Sequence, residues 1–200
     1  LPLVDAPRHQ AVSTKREDPG PQAAVCPGRA QASSITRRIV EAVAGRARNG
    51  DPVRVLGLTG PPGTGKTTIA AELARALPEA GFPVAGLAPM DGFHMSNALL
   101  AARGLADHKG APDTFDVGGY VALLGRVRRG DAVVLAPDYR RDLHEPVAAS
   151  LPIEIDGVVI TEGNYLGLEL PGWADVRGLI DLLVYIDTPF EELASRLIDR

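Results

Sequence analysis

Apolar residues along this chain fall into short runs separated by helical patterns. Val53-Arg-Val-Leu-Gly-Leu-Thr59 is β-branched and almost wholly apolar, the pattern of a buried strand. Ile69-Ala-Ala-Glu-Leu-Ala-Arg-Ala-Leu77 has helical spacing, and Pro78 and Gly81 are expected to close it. Pro83–Met90 reads as a second strand ending at Asp91, and Asn97–Arg103 and Val117–Arg128 read as helices. Ala132–Ala136, Gly157–Thr161 and Asp181–Asp187 are further strands, and a helix is expected to begin at Phe190 and run to Arg200. Ahead of all these, Ile35, Ile39 and Val43 share one face of a helix that Ser33 or Ser34 would cap and that runs to about Arg48. Residues 1 to about 30 lack apolar periodicity and are rich in Pro, Ala, Gly and charge, so a disordered tail is expected there. Strands alternating with helices predict a mainly parallel sheet covered on both faces, a three-layer α/β/α domain over residues 31–200.

Between the first strand and its helix stands Gly60-Pro-Pro-Gly-Thr-Gly-Lys-Thr67, which matches GxxxxGK[ST] at every position. Polyphosphate is solvated by many inward-pointing backbone N–H groups, and Gly60, Gly63 and Gly65 permit the turns and close approach that such a nest needs. Pro61, Pro62, Thr64 and Thr68 complete the loop, whose helix directs its positive end at the anion. Lys66 is placed to reach the β- and γ-phosphates, and the Thr67 hydroxyl to ligate Mg²⁺, so ATP and Mg²⁺ are the expected cofactors.

Ligands of a parallel sheet sit at the carboxyl ends of its strands. Glu162 follows the apolar run Val158–Thr161, where a Walker-B-like acid would join Thr67 on the metal. Asp91 ends the second strand, where a carboxylate can take the proton of an incoming hydroxyl. Asp187 also ends a strand but precedes Thr188-Pro189, and capping of the next helix is the expected role.

Composition narrows the partners. The 200 residues carry a net charge of −4 with no basic cluster, which argues against non-specific nucleic-acid binding. Cys26 is the only cysteine, so no disulfide or cysteine-based metal site forms within one chain. No run reaches about 18 apolar residues and no signal-peptide pattern opens the chain, so a cytoplasmic protein without a membrane partner is expected. The only lysines are Lys15, Lys66 and Lys109, against a Lys plus Arg total of 21. A chain that uses arginine for surface charge places one lysine in the phosphate loop, which marks Lys109 as a second candidate for chemistry.

Several segments resemble the P-loop kinases of the phosphoribulokinase, uridine kinase and bacterial pantothenate kinase family. They are Asp91-Gly-Phe-His-Met-Ser-Asn97, Arg103-Gly-Leu105, His108-Lys-Gly-Ala-Pro-Asp-Thr-Phe-Asp116, Ala136-Pro-Asp-Tyr-Arg-Arg-Asp142 and Ile160-Thr-Glu-Gly-Asn164, in that order. The resemblance implies a P-loop NTPase fold and a kinase acting on a hydroxyl of a small metabolite that is pantothenate-, sugar- or nucleoside-like. It implies Asp91 as general base, Glu162 as the Mg²⁺-associated acid and Lys109 near the acceptor or γ-phosphate. Tyr139 with Arg140 or Arg141 would line the acceptor pocket, with His94 and Arg103 as weaker candidates and His144 as another. Arginines there suit an anionic or sugar-like acceptor at least as well as pantothenate.

The chain stops at Ser195-Arg-Leu-Ile-Asp-Arg200, where the family enters its lid. A kinase truncated before the lid is therefore expected, with Arg196, and less so Arg200, at the lid base. A homodimer is a possible assembly. The rival reading is a nucleotide-binding protein or switch without small-molecule kinase activity. No Asn-Lys-x-Asp segment is present, which disfavours a guanine-reading switch.

Overall fold

The computed structural model describes residues 29–187. Four strands, β1 (Val55–Thr59), β2 (Val84–Leu87), β5 (Val158–Gly163) and β6 (Leu182–Tyr185), form a parallel sheet in the order β2-β5-β1-β6. Two of them, β1 and β5, lie at its centre, and their side chains alternate between two apolar layers. Leu56, Leu58, Val158 and Ile160 pack against Ile39 and Val43 of α1 (Arg29–Arg48) and Ile69, Leu73 and Leu77 of α2 (Lys66–Glu79). On the other face Val55 and Val159 meet Tyr120 and Leu124 of α4 (Val117–Arg129) and Trp173 and Val176 of α5 (Trp173–Gly178). The architecture is three-layer α/β/α with a parallel sheet, as the alternation predicts.

Two anchors orient the central strands. The Asp181 carboxylate accepts the N–H groups of Arg54 and Val55 at 2.8 Å each, together with the Arg128 guanidinium at 2.6 Å. This secures the start of β1 against the start of β6. Beneath the far end, Thr161 donates to the Ala88 carbonyl at 2.6 Å and accepts from the buried Tyr120 hydroxyl. Because the single Thr161 proton goes to Ala88, Tyr120 must be the donor in the second bond. Burial pushes the Tyr120 phenol far above its ordinary value, so it keeps that proton.

Several elements differ from expectation. The strand expected at Ala132–Ala136 does not join the parallel sheet. It is β3 (Val134–Arg140), which pairs antiparallel with β4 (Glu145–Ile153) as a separate two-stranded hairpin. The hairpin lies against β2, where Glu154 N–H bonds the Ala85 carbonyl at 2.8 Å. Nothing in the local pattern announces β4, because Pro146 and Pro152 interrupt it and only Ile153 of its nine residues is buried, as two-stranded edges permit. Ser33 and Ser34 do not cap α1, which already runs from Arg29. Pro78 does not end α2, which includes it and extends to Glu79. The second strand is shorter than Pro83–Met90, and Met90–Phe93 coils into a 3₁₀ turn. The helices at Asn97–Ala102 (α3) and Val117–Arg129 stand where expected. The tail through residue 28, the helix from Phe190 and the cap on it by Asp187, with Arg196 and Arg200, lie outside the described residues.

Candidate functional site

Residues 60–65 join β1 to α2 without regular structure. Gly63 and Gly65 have φ of 83° and 86°, the left-handed conformation that side chains disfavour. A Cβ on Gly60 would collide with the Ile186 carbonyl, because β6 runs directly beside the loop, with Ile186 N–H bonded to Thr59 O at 2.7 Å. Thr64 donates to the Pro61 carbonyl at 3.0 Å and tightens the turn. Lys66 is buried, and its ammonium donates to the carbonyls of Gly60 and Pro61 at 2.8 Å each. Pro62 and Thr68 face outward.

Thr67 and Glu162 meet where α2 begins and β5 ends, the hydroxyl donating to Oε1 at 3.1 Å. Burial, and then the negative charge of Asp91, raise the Glu162 carboxyl above its ordinary value, while the Thr67 bond and the charges of Lys66 and Arg141 work in the other direction. The four charged groups therefore share one electrostatic neighbourhood.

A cavity of about 250 Å³ joins three of them, Asp91, Arg141 and Glu162. Its wall includes Thr67, Asp91, Asp138, Tyr139, Arg141 and Glu162, with Leu87, Pro89 and Leu151 as the apolar part. Thus α2, β5, the 3₁₀ turn after β2 and the hairpin each contribute. A larger open groove of about 530 Å³ runs between α1 and α2, but it contains no group of the phosphate loop or the strand ends.

The 3₁₀ turn sets Asp91 against the hairpin. Gly92 is buried beneath β3, and a Cβ there would collide with the Pro137 carbonyl oxygen. Gly163 meets the Met90 side chain just as closely. The glycines in Asp-Gly-Phe and Glu-Gly thus allow backbone to approach backbone or side chain at the strand ends.

The other expected residues separate. The His94 Nδ1–H donates to the Asp91 carbonyl at 2.8 Å, and the ring packs on Phe115 and Tyr139 at 4.1 and 5.0 Å between centroids. Lys109 donates to Asn97 Oδ1 and the His144 carbonyl. Arg140 points to solvent and binds Asp142 through two bonds of 2.9 and 2.7 Å, so of the two hairpin arginines it is Arg141 that lines the cavity. Arg103 is exposed at the end of α3, its guanidinium against Met95 Sδ at 3.7 Å. Asp138 was not expected at the cavity. A bulge between Ala136 and Asp138 breaks the alternation that would have revealed its facing.

A family model described as an AAA domain matches residues 56–200. A solved structure from Silicibacter sp. TM1040, provisionally described as a fructose transport system kinase, is 34% identical. It superposes with a TM-score of 0.73 over 84% of this chain and 80% of that one. This chain belongs to the P-loop kinase family. The relatives it resembles include proteins named uridine kinase and pantothenate kinase. Among curated relatives, the uncharacterized protein YggC of Escherichia coli K12 is 40% identical over 73% of this chain and 61% of its own. A protein of Schizosaccharomyces pombe provisionally described as a uridine kinase is 33% identical over 73% of this chain and 65% of its own. The chain thus spans less than two thirds of the length of either. None of its described helices is long and apolar enough to cross a membrane.

Proposed function

We propose that this protein is an ATP- and Mg²⁺-dependent kinase that transfers the γ-phosphate to a hydroxyl of a small metabolite. The observation that carries the reading is one cavity lined by Thr67 and Glu162 on one side and by Asp91, Tyr139 and Arg141 on the other. Metal-side and acceptor-side groups so close together suit direct transfer better than nucleotide binding alone.

The residues fit both groups. The glycine conformations of the loop form a backbone cradle for a triphosphate, and the buried Lys66 supplies its positive charge. Thr67 and Glu162 would hold Mg²⁺. Among the described residues no three His, Cys, Asp or Glu side chains cluster as a metal cage, which suits an ion held largely by phosphate and water. Bound Mg²⁺-ATP supplies the phosphoryl group and neutralises its charge.

Asp91 orients the acceptor hydroxyl and takes its proton. Tyr139, Asp138 and Arg141 contact the rest of the acceptor, and Leu87, Pro89 and Leu151 exclude water from that side. Acceptors related to pantothenate, sugars and nucleosides are the class to test.

The test is coupled ADP release with ATP and Mg²⁺ against pantothenate, ribo- and deoxynucleosides, fructose and phosphorylated pentoses. Stimulated release by one of them supports the kinase and names its acceptor class. ATP binding without stimulation by any would favour a nucleotide-binding protein without small-molecule kinase activity.

A further inference from the structure

Lys109 stands between two short 3₁₀ turns, Ala106–His108 and Pro112–Thr114. The residue after it, Gly110, turns the chain at φ 100° and is held from both sides. Its N–H donates to Thr114 Oγ1 at 3.0 Å, and its carbonyl accepts the Tyr165 hydroxyl at 2.7 Å. From this seat the Lys109 ammonium donates to Asn97 Oδ1 at 2.5 Å and to the His144 carbonyl at 2.6 Å. Asn97 Nδ2 donates to the same carbonyl at 3.1 Å, and the Asn97 N–H donates to the Glu145 carboxylate at 2.9 and 3.2 Å. The hairpin tip, the start of α3 and the Lys109 loop therefore meet at one carbonyl oxygen.

That oxygen belongs to a strained residue. His144 has φ of 52°, a left-handed conformation that is strained for a non-glycine residue and persists only where its surroundings impose it. Lys109 and Asn97 engage both lone pairs of its carbonyl. The ammonium also lies 5.3 Å from the centre of the Tyr139 ring. Tyr139 packs on His94, which is bonded in turn to the Asp91 backbone. Contacts that hold the tip thus also relate the hairpin wall to the turn that carries Asp91.

We propose that Lys109 is a positioning residue that latches the tip of the β3–β4 hairpin to α3, and so holds Tyr139 and Arg141 across the cavity from Asp91. It acts through the hairpin and not on the phosphate. The latch is a property of the fold; its effect on the acceptor rests on the kinase reading.

Losing the ammonium removes exposed hydrogen bonds from a charged donor, so the hairpin should open about tenfold more often. Amide hydrogen exchange is measured by mass spectrometry on the 200-residue chain, as wild type, Lys109→Met and Lys109→Arg. Lys109→Met is expected to speed exchange over residues 138–147 about tenfold, with the phosphate loop, α2 and ATP affinity unchanged. Lys109→Arg, which keeps a donor, is expected to restore most of the protection. Trypsin cleavage after the exposed Arg141 is a second measure and should accelerate in Lys109→Met. Unchanged exchange and cleavage overturn the latch. With an acceptor in hand, its KM rises about tenfold in Lys109→Met while kcat changes less. A loss confined to kcat, with the hairpin as protected as before, would instead assign Lys109 to the reacting phosphate. If no acceptor is found, the kinase reading fails and hydrogen exchange still decides the latch.

Discussion

The Thr67 hydroxyl donates to Glu162 Oε1 at 3.1 Å, tying the first turn of α2 to the end of β5 across 95 residues of sequence. The bond holds an oxygen of each side chain close together, as two ligands of one cation would need. It also lies in the field of Asp91, which burdens Glu162 with a second negative charge.

Glu162 gives the first prediction. Its folded carboxyl is raised, by burial first and by Asp91 second, so between the ordinary value of 4.5 and the raised one the folded state binds more protons than the unfolded. Stability therefore falls as pH rises through that window, and the penalty is complete above it. Glu162→Gln is expected to raise the thermal midpoint at neutral pH and to lose this advantage below the ordinary value. Melting both proteins from about pH 4 to about pH 8 checks the sign. The same variant should bind ATP more weakly in the presence of Mg²⁺ and little differently without it.

Asp91→Asn separates chemistry from binding. Transfer should fall by about 10²–10⁴, the usual worth of a positioned base, while ATP affinity is retained. Retained turnover in single-turnover assays would remove Asp91 from its role.

Gly92 tests the packing of the hairpin on the turn. Gly92→Ala drives a methyl group into the Pro137 carbonyl, and overpacking of this kind costs about 1–3 kcal/mol. Gly125→Ala in α4 is the contrasting control. There a Cβ meets only the flexible end of Arg129 at 3.5 Å, and a gain of about 0.5–1 kcal/mol is expected. Urea unfolding of the two variants should give opposite signs.

Asp181 gives a pH effect opposite to that of Glu162. Burial raises its carboxyl, but the Arg128 bond and the N–H groups of Val55 and Arg54 outweigh this and hold it below the ordinary 3.8. Its contribution is then fully present above 3.8 and is lost as pH falls through the depressed value. Asp181→Asn should lower stability by about 1–3 kcal/mol at neutral pH, with a difference from wild type that narrows in acid. A difference independent of pH would mean that the carboxylate charge plays no part in anchoring β1.

Much of this was legible in the sequence. The strands β1, β5 and β6 are short apolar runs, and α2 and α4 carry helical spacing, so local pattern and burial agree there. The phosphate loop could be read because its geometry is local. Three closely spaced glycines and one lysine define a backbone path that needs little help from distant residues. The acids Asp91 and Glu162 could be found because a parallel sheet brings its strand ends to one side.

The hairpin could not be read in the same way. Its second strand carries two prolines and little burial, its first strand is bulged, and its place depends on Gly92 admitting Pro137 from 45 residues away. The assignment of Arg141 to the cavity, Arg140 to Asp142 and Lys109 to the His144 carbonyl follows from that placement. Sequence by itself determined the α/β alternation, the phosphate loop and the acids beside it, because these rest on periodicity and on the local conformational freedom of glycine. Tertiary structure alone decided which side chains of the hairpin face the cavity and where Lys109 docks on the hairpin tip, because those contacts join segments whose own patterns do not specify a partner.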